Sequence, residues 1–295
     1  MANRILNILV FDLRLDPAEA EVSIAVDPER LVSQTDARGR LVGPRCLYAT
    51  TVEVAYPLRP VSRQYEKEGP PRIQARVVIP EPCRWDPESP FLYQGVVELW
   101  ENGQRCDQVP ITHGLRTLQL GRRGLLLNGR PFTVRARACD QAPNEEEARR
   151  WRQEGINTLL VPLTREIPDV WSAADRLGFL VLVRLSERLS VRPEALSREP
   201  PAFAGYVLSP EAWPQELFRI RADGGPSLDR PPIGAELLEV PREPLPPEIG
   251  FVVCNQRLLP SLADLPLPKL VRPDGSDLPA GPDMMGWIAP KGSEP

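Results

Sequence analysis

The sequence predicts a multidomain β plus α/β chain. An antiparallel β-sandwich spans residues 1–120, a compact (β/α)₈-type barrel, closed or incomplete, spans 125–290, and 291–295 form a tail. Three observations lead there. The first ~120 residues alternate apolar and polar side chains at period two, which marks half-buried strands. After Gly121 apolar strand-like runs appear, Asn157–Leu163 through its middle and Phe179–Leu185, as parallel strands covered on both faces require. Helical segments then begin to separate those runs, and strand-helix alternation implies right-handed βαβ units.

In the first region the alternating runs are Ile5–Leu15, Val22–Val26, Leu47–Val54, Ile73–Ile79, Gly95–Trp100 and Leu115–Leu120. Asp-Pro pairs at 16–17 and 27–28, and Glu101-Asn102-Gly103, supply turns between them. The polar stretch Arg59–Pro71, rich in Pro and Gly, reads as an exposed loop. Several short strands joined by turns over ~100 residues suit an antiparallel sandwich.

In the second region Pro131–Ala138 reads as the first barrel strand. Asn128-Gly129 before it is a tight-turn signal, because this pair tolerates φ > 0 at both positions. Asn144 is placed as the N-cap of a helix running to Glu154. Its first turn carries Glu145, Glu146 and Glu147, which the helix dipole favours. Asn157–Leu163 follows as a strand, then a helix at Pro168–Leu177 stopped by Gly178, then the strand Phe179–Leu185. Further strands are Phe203–Leu208, Pro232–Leu237, Gly250–Asn255, Lys269–Arg272 and Met284–Ile288. Only Trp213–Ala222 is a clear helix among them, and Pro-rich links such as Pro241–Pro247 replace the rest. Eight strands in ~165 residues fall well below the ~250 typical of such barrels.

Composition narrows the function. The net charge of −4 gives no electrostatic reason to expect nucleic acid. Lys67, Lys269 and Lys291 are the three lysines among 36 basic residues, so arginine dominates. Either arginine-led pairing and anion recognition or a GC-rich genome accounts for that bias. Five cysteines without close spacing and a single histidine, His113, argue against a zinc site, and no cofactor is expected. The N-terminal apolar run is broken by Asn7 and followed by Asp12, and no stretch approaches ~20 apolar residues. A cytoplasmic protein with neither membrane nor nucleic-acid partners is the expectation.

Three stretches resemble the family-2 glycoside hydrolases, which include β-galactosidases, β-glucuronidases and β-mannosidases. The first, Arg84-Trp85-Asp86-Pro87-Glu88-Ser89-Pro90-Phe91-Leu92-Tyr93, is similar to a segment of that family's central immunoglobulin-like domain. The second is His113-Gly114-Leu115-Arg116-Thr117 with Leu126-Leu127-Asn128-Gly129-Arg130-Pro131, similar to the junction leading into the barrel. The third is 157–184, where Trp171, Asp175, Leu177 and Gly178 fall where the family has W/Y, D, L and G, and the order and spacing of the three stretches match too. The family's N-terminal jelly-roll domain is not matched here.

The resemblance implies a catalytic pair of Glu residues at the ends of barrel strands four and seven. Retaining glycosidases hold two such carboxyls ~5 Å apart, one as acid/base and one as nucleophile. On the fourth strand Glu211 aligns with the acid, but Pro210 replaces the Asn before it. On the seventh, Pro273 aligns with the nucleophile, and Asp274 stands one residue away, on the opposite strand face. Other sugar-binding positions are eroded as well: Leu163 stands for a His and Arg184 for a carboxylate.

Surviving candidates each carry a plain reading beside the functional one. Glu211 is also a first-turn helix acid, and Asp274 in Pro-Asp-Gly is also a turn residue. Trp287 resembles the family's eighth-strand Trp that floors the sugar pocket, and equally a core aromatic. Arg137 and Arg184 form a candidate anion site at the barrel mouth. His113 reads as a junction residue rather than a catalyst. Two functions follow: a degenerate, non-catalytic member that binds carbohydrate or scaffolds a protein partner or its own oligomer, or a working retaining β-glycosidase using Glu211 with Asp274.

Overall fold

The computed structural model describes residues 2–65, 71–163, 168–185, 201–210, 232–275, 281 and 283–289. The chain divides into two compact units, one built on Met1–Arg116 and the other beginning at Thr117.

The first unit has two four-stranded antiparallel sheets. One orders β1 (Ile5–Leu15), β2 (Glu19–Pro28), β6 (Arg72–Pro80) and β5 (Arg59–Gln64) as β1-β2-β6-β5. The other orders β3 (Thr35–Arg45), β4 (Val54–Pro57), β7 (Leu92–Glu101) and β8 (Gln104–His113) as β4-β3-β7-β8. The period-two pattern buries Val22, Ile24, Ile73 and Val77 from one sheet against Leu41, Val97, Leu99 and Ile111 from the other. Trp85 and Tyr93 are fully enclosed, as large aromatic area requires, and the Tyr93 hydroxyl accepts a hydrogen bond from the Cys83 amide at 3.0 Å. Buried His113 on β8 meets Asp12 on β1 at 2.7 Å, tying the two sheets together. Three of the four outer strands carry a proline within the ladder: Pro57 on β4, Pro60 on β5 and Pro110 on β8.

Three expectations change here. Of Leu47–Val54 only Val54 lies in a strand, at the start of β4; a short turn closed by a Cys46–Ala49 bridge occupies the start of the run, and Val52 is 85% exposed. Part of the expected Arg59–Pro71 loop is the edge strand β5, paired to β6 despite its exposed side chains. Leu115–Leu120 contributes instead to β9 (Leu118–Gly121), which pairs with β10 (Gly124–Leu127) in the second unit.

There β9, β10 and β11 (Arg130–Phe132) make a small sheet. Asn128 at φ 52° and Gly129 at φ 78° form the tight turn joining β10 to β11. Eight parallel strands then close a barrel: β12 (Val134–Ala138), β13 (Thr158–Pro162), β14 (Leu180–Leu185), β15 (Phe203–Leu208), β16 (Ile233–Leu237), β17 (Phe251–Asn255), β18 (Lys269–Arg272) and β19 (Met284–Ala289). The barrel is thus complete. The small sheet meets it near the strand starts, where Gly250 leaves room for Leu120 and Gly124 lies on Met285.

Helix α1 (Glu145–Gln153) begins with a full capping box. Asn144 accepts from the Glu146 and Glu147 amides, and the Glu147 side chain accepts from the Asn144 amide. Helix α2 (Pro168–Leu177) ends before Gly178 at φ 76°. Its Asp175 is buried and accepts the Ala202 amide at 2.7 Å, fixing the chain just ahead of β15. The expected helix Trp213–Ala222 lies outside the described residues. No helix among the described residues is long and apolar enough to cross a membrane.

Candidate functional site

In parallel barrels the C-terminal strand ends carry the chemistry. Alternation decides which side chains reach the lumen there. Arg184 on β14, Glu236 on β16 and Arg272 on β18 all do, and the structure joins them. Glu236 is 5% exposed in a strand otherwise made of Ile, Gly, Ala and Leu. Its Oε2 accepts from Arg184 Nε at 3.0 Å and Nη2 at 2.9 Å. Its Oε1 accepts from Arg272 Nη1. Burial of a lone carboxylate would be prohibitive, and two guanidinium partners offset that cost.

Neighbouring positions complete the lumen at this level. Ser209 follows Leu208, the register partner of Ala235, and so stands level with Glu236. It alternates with Val207, the partner of Arg184, and shares that face. Its amide donates to the Leu185 carbonyl at 2.9 Å, while its buried hydroxyl has no hydrogen-bond partner among the described residues. Asn255, the register partner of Arg272, is exposed at the same end.

The residues singled out from the sequence fall in different places. Glu211 lies outside the described residues. Asp274 accepts from Arg257 Nε at 2.9 Å, and its amide donates to the Gln256 side chain at 3.1 Å. It is thereby tied to the 3-10 segment Gln256–Leu262. Pro273 separates it from Arg272 and offers no titratable group. Arg137 turns to α1, pairing with Glu154 at 2.7 Å and lying 5.1 Å from the centre of the Trp151 ring. Half-buried Trp287 is in register with Arg135 and Val271, one residue out of phase with Arg272. Val271 on that same face packs in the outer apolar cluster, so the register sets Trp287 apart from the lumen group. Among the described residues, Arg184 is the one sequence candidate that the Glu236 group contains.

Glu236 itself escaped sequence reading. Its signal is a single carboxylate at an inward position of an apolar strand, matched by inward arginines two strands away on either side.

Just past β12, burial pushes the Cys139 thiol up to about 12. It stays a protonated, unreactive thiol near neutral pH. Among the described residues, no three His, Cys, Asp or Glu side chains gather as metal ligands would.

The chain thus joins an antiparallel sandwich to an eight-stranded parallel barrel. Residues 6–116 match the model for Glycosyl hydrolases family 2. A β-galactosidase from Psychromonas ingrahamii is 33% identical over 76 residues, covering 25% of this chain and 7% of that protein. The β-galactosidase BoGH2A of Bacteroides ovatus is 24% identical over 119 residues, covering 36% and 14%. In fold, a family-2 member from Bacteroides cellulosilyticus superposes with a TM-score of 0.69 at 13% identity, covering 97% of this chain and 44% of that one. The β-glucuronidase of Bifidobacterium dentium, solved with coumarin-3-O-glucuronide, gives a TM-score of 0.68 at 14% identity, covering 95% and 54%. This chain therefore spans about half the length of those solved structures.

Proposed function

We propose that this chain is a family-2 scaffold that has lost glycoside hydrolysis and retains a carbohydrate-binding or scaffolding role. One observation carries the reading. The buried carboxylate at the C-terminal mouth has both oxygens engaged by Arg184 and Arg272. A retaining glycosidase needs two carboxyls there, one free to attack the anomeric carbon and one to give and take a proton. Glu236 is committed to an ion-paired bridge instead, and Pro273 holds the position aligned with the nucleophile. Glu211 acting alone as a general acid would supply only ~10²–10⁴-fold, short of the ~10⁶-fold or more that marks an enzyme. The alternative, a hydrolase built on Glu211 and Asp274, competes for Asp274 with its contacts to Arg257 and Gln256.

The test is an assay of nitrophenyl β-galactoside, β-glucuronide and β-mannoside across pH 4–8, beside Glu211→Gln. No turnover by either protein is expected. Turnover that the substitution abolishes would establish the hydrolase in its place.

A further inference from the structure

A structural ion pair usually balances one cation against one anion. Here two guanidinium groups share one carboxylate, so this group of three described side chains carries a surplus charge of +1. Glu236 is 5% exposed, whereas the Arg184 and Arg272 side chains are 38% and 31% exposed, so the bridge is sealed on one side and open on the other. Each guanidinium carries five N–H donors in a planar fork. Glu236 takes Nε and Nη2 of Arg184 and Nη1 of Arg272, which leaves Arg184 Nη1 and Arg272 Nε and Nη2 unspent in these contacts.

A second observation at the same level points the same way. The Ser209 hydroxyl is buried without a hydrogen-bond partner among the described residues, and buried polar groups are normally satisfied. By register it stands between the strands that carry Arg184 and Glu236, facing the lumen. An oxyanion there would accept from both arginines and from the hydroxyl while neutralising the surplus charge.

We propose that Arg184 and Arg272, bridged by Glu236, form with Ser209 a binding site for a small oxyanion — a carboxylate or phosphate group — at the C-terminal mouth of the barrel. Free phosphate and the carboxylate of a sugar acid share this chemistry. The site is independent of whether the chain hydrolyses glycosides, because binding is read without turnover.

The purified full chain is titrated at constant ionic strength in chloride with inorganic phosphate, with a uronic acid, and with the uncharged parent sugar, followed by calorimetry and by the guanidinium N–H signals. Saturable one-site binding of at least one anion is expected, about tenfold or more tighter than the uncharged sugar. Tighter binding of the uronic acid assigns the site to a sugar acid, and tighter binding of phosphate assigns it to a phosphate group. Arg184→Gln and Arg272→Gln should each weaken binding about tenfold. Glu236→Gln, once its melting curve shows it folded, should bind as tightly as the parent or tighter, since the two arginines then lose the negative charge that competes with the ligand. A purely structural bridge predicts the opposite order. If Glu236→Gln fails to fold, Arg272→Lys decides, since it keeps the charge and removes the fork; weakening of about threefold or more supports the site. Anion binding no stronger than chloride, unaltered binding in the arginine variants, or loss of binding in a folded Glu236→Gln overturns the proposal.

Discussion

The two halves of the barrel solve one problem differently. Each outward strand face must be covered, because parallel strands are apolar on both sides. In the first half, helices do this. Trp151 and Ala148 of α1 and Val170, Trp171, Ala174 and Leu177 of α2 are buried. Trp151 meets Phe179 edge-on at 6.5 Å, and Trp171 meets Phe203 at 5.8 Å. Among the described residues of the second half, leucines on irregular, proline-rich chain take over. Leu245, Leu258, Leu259, Leu265 and Leu267 surround a core of Leu237, Val252, Cys254, Leu262 and Val271. The Gln256–Leu262 segment even contains Pro260. Coverage, not helicity, is what the strands require, and this lets a barrel close with short connections.

If that is right, core truncation should cost similar amounts in the two halves. Trp151→Ala is expected to destabilise most, by about 3–5 kcal/mol, through lost burial and a cavity. Leu262→Ala, in the non-helical cover, should cost about 2–4 kcal/mol in the same denaturant titration. A value below ~1 kcal/mol for Leu262→Ala would break the equivalence, marking the irregular cover as loose. Asn144→Ala removes the α1 capping box and should lower stability by about 1 kcal/mol; an unchanged midpoint would mean that tertiary packing alone holds the helix start. The smallest effect belongs to Arg257→Ala. Its pair with Asp274 has an arginine side chain that is 87% exposed, and exposed pairs contribute about 0–1 kcal/mol. A larger loss would show that the Asp274 tether, rather than the leucines, organises the second half.

Legibility followed burial. The barrel strands with continuous apolar runs stand out, as in Leu180 to Val183 and in Phe251 to Cys254. Strand β3 did not stand out. Only Thr35, Ala37, Leu41 and Gly43 are buried along it, and its arginines and glycines read as loop. Edge strand β5 buries almost nothing and exists through its backbone pairing to β6. The candidate site was half legible. Arg184 was marked, but its carboxylate partner is 52 residues away and that carboxylate's second arginine a further 36. Such a pairing is created by barrel closure, so no local pattern announces it.

The prolines on the outer strands of the sandwich have a consequence for how copies of the chain behave at high concentration. An unpaired strand edge offers a row of amide donors on which a second strand can template itself. Pro57, Pro60 and Pro110 each delete one donor from such a row. At β5 a register shift between Pro60 and Ser62 adds a kink to that row. The barrel achieves the same protection by having no edge at all. Part of the chain's heavy use of proline thus acts as insulation, keeping sheets that end in the open from growing into fibrils.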